Sequence, residues 1–176
     1  MSLINIATVE NATGEVKKVY DEVQDTLGMV PNGFRTFSAN PKALRAQWEA
    51  IKVVLGKDKE DRRLYGLVRY YMSDKNGCEY CVGFNTFALT NMCDVTENEL
   101  SATLKDPSNA PLNEKNKALF LFAIKAVEDA HSVDANDINA LKDLGASEME
   151  IFDIVKSASH MFVVNTLFDT FKVEKD

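Results

Sequence analysis

Asn76-Gly77-Cys78-Glu79-Tyr80-Cys81-Val82-Gly83-Phe84-Asn85 sets two cysteines, three residues apart, at the start of a helix. Asn76-Gly77 is a turn signal behind an apolar-periodic segment, and helical spacing resumes after it, so Cys78 is expected in the first helical turn. Unpaired N–H groups and the positive end of the helix dipole favour an anion there, which helps a thiol ionise from a free-cysteine pKa of about 8.5. Cys81 lies one turn on, on the same face. Thiolate is the nucleophile, and a second sulfur one turn away can close a disulfide on it, so the spacing suits reversible redox chemistry.

Outward from this stretch the pattern is helical throughout. Thr13 precedes an apolar stripe of Val16, Val19, Tyr20, Val23 and Leu27, with Gly28 as the stop. Met29 to Ala39 reads as a connector in which Pro31 and Gly33 break any helix, leaving Phe34 and Phe37 to fill a core. Asn40-Pro41 is an N-cap with proline at the first helical position, and Leu44, Trp48, Ile51 and Leu55 follow on one face. Asp58 or a neighbour opens the next helix, with Leu64, Leu67, Val68, Tyr71 and Met72 inside. Gly66 in its middle costs about 1 kcal/mol against alanine, which points to a close packing partner.

The cysteine helix is expected over about residues 77–91. Thr96 with Glu99 and Ser147 with Glu150 are capping boxes, Asn113 and Asp134 are further caps, and Ile151, Ile154, Val155, Ala158, Met161, Phe162 and Phe168 line the last helix. No segment alternates like a strand. The expected class is all-α, a compact domain over residues 1–176 with about seven or eight helices.

The 176 residues are 45% hydrophobic and 27% charged, an ordinary globular composition. Twenty basic against 27 acidic side chains give a net charge of -7, which argues against attachment to nucleic acid or an anionic membrane. No basic region with an apolar run opens the chain and no stretch approaches bilayer length, so a cytoplasmic protein is expected. Three cysteines make no disulfide framework, and in a reducing compartment a Cys-x-x-Cys is catalytic or metal-binding. Zinc wants four ligands, and the remaining candidates, Cys93, His131 and His160, lack paired spacing. No metal or organic cofactor is expected. The plain alternative is that Cys78 and Cys81 are buried packing residues.

The chain resembles the alkylhydroperoxidase D-like branch of the carboxymuconolactone decarboxylase superfamily. The likeness runs from Gly28-Met29-Val30-Pro31-Asn32-Gly33-Phe34-Arg35 through Asn40-Pro41 and Trp48 to Asn76-Gly77-Cys78, Tyr80-Cys81 and Val164-Asn165. The family motif has a Glu twelve residues before the first cysteine and a His four after the second; here these are Gly66 and Asn85. The resemblance implies a homo-oligomer, a trimer or hexamer, and a thiol peroxidase or disulfide reductase of antioxidant type. Its substrate is a peroxide or disulfide, and its electron donor a thiol, of lipoylated or thioredoxin-like kind. Carried over, the resemblance makes Cys81 the nucleophile and Cys78 the resolving thiol, whereas the helix dipole alone favours Cys78, so both assignments stay open.

Asn85 shares the stripe of Cys78 and Cys81 and either orients a thiol or satisfies a buried carbonyl; it cannot take a proton as His does. His160 is the candidate replacement base, because imidazole titrates near neutrality; against it, a lone His on an apolar helix is usually a core residue. Glu79 and Asp74 read as solvated, Tyr80 as packing, His131 as surface, and Cys93 as a thiol too far along the helix to pair with Cys81. Two other functions are open: lactone decarboxylation, against which the cysteine pair argues, and a non-catalytic oligomeric redox-sensing or partner-binding role.

Overall fold

The computed structural model describes residues 2–176, and all regular structure among them is helical. The chain divides into two compact units, one built from the chain up to Lys57 together with Thr166–Asp176, the other from Asp58–Asn165. The first unit holds α1 (Gly14–Leu27), α2 (Asn32–Phe37) and α3 (Pro41–Leu55). The second holds α4 (Lys59–Lys75), α5 (Glu79–Met92), α6 (Glu97–Lys105), α7 (Glu114–Glu128) and α8 (Ala135–Asp143); α9 (Glu148–Phe171) begins in it and ends in the first.

In the first unit, α1 stops at Gly28, whose φ of 79° is left-handed and open to glycine at little cost. The Asn40 side chain accepts from the N–H groups of Lys42 and Ala43, and Pro41 begins α3 where no intrahelical N–H is needed. Val16, Val19, Tyr20 and Val23 bury their stripe with Leu44 and Trp48. The Trp48 indole N–H donates to Glu22 at 2.8 Å, and Phe34 meets the Trp48 ring edge-on at 5.7 Å. The segment read as a connector carries a helix, α2, and nine α-helices are found among the described residues against the seven or eight expected. Pro31 precedes α2 as its N-cap, where a missing N–H costs nothing, so it starts a helix here instead of breaking one. Phe34 is buried and Phe37 packs partly buried beside it, as core residues.

In the second unit, Asp58 caps α4 by accepting from the Asp61 N–H, and Leu64, Leu67, Val68, Tyr71 and Met72 are all buried. Tyr71 sets its ring edge-on to Phe120 of α7 at 5.8 Å. Capping boxes open α6 (Thr96 with Glu99) and α8 (Asp134 with Asp137). At the start of α9 the Glu150 N–H donates to Ser147 Oγ at 3.2 Å while the Glu150 carboxylate accepts from the Ser147 N–H at 2.8 Å. Phe162, expected inside, is exposed, because it lies on the outer stripe of α9 with Met149, Phe152 and Val163. No helix among the described residues is long and apolar enough to cross a membrane.

The α9 capping box generates a pH prediction. Lys115 at 2.6 Å and the Ser147 hydroxyl and N–H pull the Glu150 pKa down to about 2. A lowered carboxylate stabilises the fold fully above its unfolded pKa of roughly 4.3 and loses that contribution as pH falls toward the folded value. Urea unfolding of Glu150→Gln against the parent should show a gap of about 2 kcal/mol at neutral pH that closes between about pH 4.5 and 2.

Candidate functional site

The site is built on the turn between α4 and α5. Gly77, with φ 73°, lets the chain reverse, and the N–H groups of Gly77 and Cys78 donate to the carbonyls of Asp74 and Ser73, each at 3.0 Å. Because its N–H is used in this turn, Cys78 keeps an extended backbone (φ -81°, ψ 92°) and is the N-cap of α5, one residue outside the helical turn expected for it. Cys81 is the third residue of the helix. Their sulfurs stand 2.7 Å apart, within reach of the 2.05 Å of a disulfide. Cys78 is 0% exposed and Cys81 3%. Both thiols lie within a turn of the helix N-terminus, so the dipole acts on each and does not single out Cys78.

Asn85 is buried one turn beyond Cys81, and its side-chain N–H donates to the Cys81 carbonyl at 2.8 Å. It satisfies a backbone acceptor next to the sulfur and holds no proton to exchange. The space beside Gly66 is closed. A Cβ on Gly66 would lie 2.7 Å from Leu89 Cδ2 and 3.2 Å from Leu89 Cγ, so the glycine admits the Leu89 side chain and the two helices pack close there. Leu89 is 1% exposed, and the space is filled by hydrocarbon.

His160 stands half-buried on α9 in the second unit. Burial pushes its pKa below the ordinary imidazole value, and the nearby Arg69 and Lys156 cations push the same way, so it is neutral at pH 7. Five residues on, Asn165 supplies a support that sequence reasoning had quoted without giving it a role. Its side-chain oxygen accepts from the Asn76 amide at 2.8 Å, and its amide donates to the buried Ser73 hydroxyl at 3.3 Å. Ser73 in turn donates to the Arg69 carbonyl at 2.6 Å. This chain fastens α9 to the end of α4, just before the cysteine turn. Asparagine at 165 had no local signal, since its partners are 89 and 92 residues away.

Other candidates fall where expected. Glu79, Asp74 and His131 are exposed, and Tyr80 is buried and stacks on Phe84 at 6.4 Å between centroids. Cys93 is buried, roughly 18 Å along α5 from Cys81 at 1.5 Å per residue. Burial pushes its thiol pKa up. Among the described residues no three His, Cys, Asp or Glu side chains gather to hold a metal ion. A groove of about 450 Å³ between Phe122, Ile138, Ile151, Phe152 and Val155 is lined by none of the cysteine-site residues.

Solved structures share this arrangement of helices over the whole chain. A peroxidase-related protein from Ralstonia eutropha JMP134 with an alkylhydroperoxidase AhpD core superposes with a TM-score of 0.82 at 21% identity, covering 99% of this chain and 92% of that one. The fold is that of the alkylhydroperoxidase D core. A peroxidase-related protein from Silicibacter sp. TM1040 gives 0.81 at 20% identity, with the same coverage of 99% and 92%. The debrominase Bmp8, as a cysteine-to-alanine variant in complex with 2,3,4-tribromopyrrole, gives 0.74 at 20% identity over 100% of this chain and 92% of that one. The sequence matches no family model and no curated protein.

Two predictions follow the packing of the turn. Gly66→Ala gains about 1 kcal/mol of helix propensity but overpacks Leu89, at roughly 1–3 kcal/mol. A urea double-mutant cycle with Leu89→Ala should therefore give a loss smaller than the sum of the single losses by more than about 0.5 kcal/mol. Asn165→Ala removes the two bonds that fasten the turn, expected to lower stability by about 2 kcal/mol and to speed alkylation of Cys78 and Cys81. Unchanged alkylation would mean that the turn holds its shape without α9.

Proposed function

We propose that Cys78 and Cys81 form a thiol–disulfide redox centre of antioxidant type that reduces disulfides readily and hydroperoxides slowly. The observation that carries this reading is the 2.7 Å approach of two buried sulfurs at a helix N-terminus, with Leu89 and Asn85 where a proton relay would be. The likeness in fold to peroxidase-related proteins supports the same class of chemistry.

The step balances as follows. The Cys81 thiolate attacks one sulfur of a disulfide R–S–S–R, forming Cys81–S–S–R and releasing RS⁻. The Cys78 thiolate then attacks Cys81 Sγ, forming the Cys78–Cys81 disulfide and releasing the second RS⁻. Two electrons pass from the cysteine pair to the substrate, and a dithiol donor, of the lipoylated or thioredoxin-like kind, returns them as its own disulfide. Cys81 is placed as the attacking thiol on the family resemblance and on its slightly greater exposure.

The preference for disulfides comes from the leaving group. A thiolate leaves at a pKa of about 8.5 and needs no proton at neutral pH. A hydroperoxide gives sulfenic acid and an alkoxide, which leaves well only when protonated, and a positioned acid–base group is worth roughly 10²- to 10⁴-fold in such a step. Neutral, half-buried His160 stands as the candidate donor of that proton.

The same proposal includes a homo-oligomeric protein, a trimer or hexamer, acting in the cytoplasm. The exposed apolar side chains Met149, Phe152, Phe162 and Val163 on α9 support assembly.

With dihydrolipoamide as donor, the parent protein should turn over 2-hydroxyethyl disulfide much faster than cumene hydroperoxide. Either single variant, Cys78→Ser or Cys81→Ser, should stop both reactions, and Asn85→His should raise hydroperoxide turnover by about 10²-fold. A bromopyrrole, included because the fold also serves a debrominase, tests a reductive alternative. Thiols that alkylate only at alkaline pH and never bridge would end the redox reading.

A further inference from the structure

The groove between α7, α8 and α9 stands apart from the cysteine site and lies wholly in the second unit. Its walls are Phe122 of α7, Ile138 of α8, and Ile151, Phe152 and Val155 of α9. Spacing of three and four residues puts the α9 members on one stripe, the pattern of a helix face that packs on a neighbour. Phe122 and Ile151 are buried, whereas Phe152 leaves 68% of its surface exposed and Met149 as much. Phe152 is thus at once a wall of a trough of about 450 Å³ and a ring standing out to solvent.

Charge selects what covers such a face. Two charged side chains line the groove, Glu148 and Lys156, one four residues before Phe152 and the other four after. Residues i, i+4 and i+8 make a single ridge, so acid, ring and base follow one another over about 12 Å of α9 at 1.5 Å per residue. Reversed end for end about Phe152, the ridge is complementary to itself. Acid then faces base at both ends, and exposed Met149 faces half-buried Val155. Glu148 already pairs with Lys142 of α8 at 2.6 Å, but its side chain is 82% exposed and open to a second cation. A partner of one charge sign would suit one end of the ridge and be opposed at the other.

We propose that a second copy of this chain fills the groove, in an isologous contact where two antiparallel α9 helices cross at Phe152. Each Phe152 enters the apolar trough of the other copy, and Glu148 of one copy pairs with Lys156 of the other on both sides of the two-fold axis. This contact deepens the homo-oligomeric reading above, on which it rests, by giving the assembly a face and a symmetry. A two-fold contact builds a dimer, or joins two trimers into a hexamer, and does not build a trimer alone.

Sedimentation velocity on the full chain over a range of concentrations tests the contact. The parent should assemble into an even number of copies. Glu148→Lys and Lys156→Glu each set like charges together twice across the axis and should weaken the two-fold association roughly tenfold or more. The double variant restores opposite pairs and should return to within about threefold of the parent, although Lys142 no longer has its acid at position 148. Phe152→Ala, at a position exposed in the single copy, should weaken association by a similar factor to the single reversals without changing the circular dichroism. A double variant no stronger than the singles, assembly untouched by all of these variants, or a parent that is a trimer would each overturn the contact and leave the homo-oligomeric reading standing. A parent that stays monomeric would end both. Binding of an anilinonaphthalene sulfonate dye that Phe152→Ala removes, with assembly unaltered, would give the groove to a small apolar ligand and overturn the contact as well.

Discussion

The close approach of α4 and α5 at Gly66 is the constraint on which the site depends. Leu89 enters the space that any side chain at 66 would take, and with it α5 lies against α4 from the cysteine turn to Arg63, whose guanidinium donates to the Cys93 carbonyl at 3.1 Å. The axis of α5 decides where its first turn points, and that turn carries both sulfurs. The same contact has a chemical consequence. A carboxylate cannot share the position with Leu89, so tight packing of the pair of helices and a relay at this place exclude each other. The chain has the packing.

Local chemistry made much of the fold legible. Asn40-Pro41, Thr96 with Glu99, Asn113, Asp134 and Ser147 with Glu150 each act within four residues, and each begins a helix where the sequence indicates. The one helix missed, α2, shows the limit of reading residue types without position: Pro31 breaks a helix from inside and starts one from its N-cap. Gly66 announced a close neighbour, but Leu89, 23 residues on, was not readable. That Cys78, Cys81 and Asn85 lie together was legible because helical spacing puts them on one face. Asn165 was not, because its meaning lies in partners on α4 that are 89 and 92 residues away. His160 was legible as a residue, and its desolvated neutral state only from the structure.

Several exposed carboxylates are engaged at the surface, as Glu22 with Arg45, Asp137 with Lys125 and Glu148 with Lys142 show. Near the cysteine turn the acidic groups Asp74 and Glu79 point to solvent, where water screens their repulsion of a thiolate. In the second unit stand a half-buried imidazole kept neutral and a buried phenol held protonated.

On the proposed redox reading, disulfides and hydroperoxides place different demands on such a surrounding. A thiolate attacking a disulfide moves negative charge from one sulfur to another without creating any, so a surrounding that tolerates an anion is enough. Breaking an O–O bond turns charge on polarisable sulfur into charge on oxygen, whose conjugate acid is far weaker, and the cost falls only when a proton arrives in the transition state. Asn85 and Leu89 bring none, and His160 holds its ring proton more tightly as a neutral imidazole than an imidazolium would. On the proposed redox reading, the balance between the two reactions follows from one packing choice: hydrocarbon against Gly66, where the resemblance implies a carboxylate, leaves a centre suited to exchanging sulfur for sulfur.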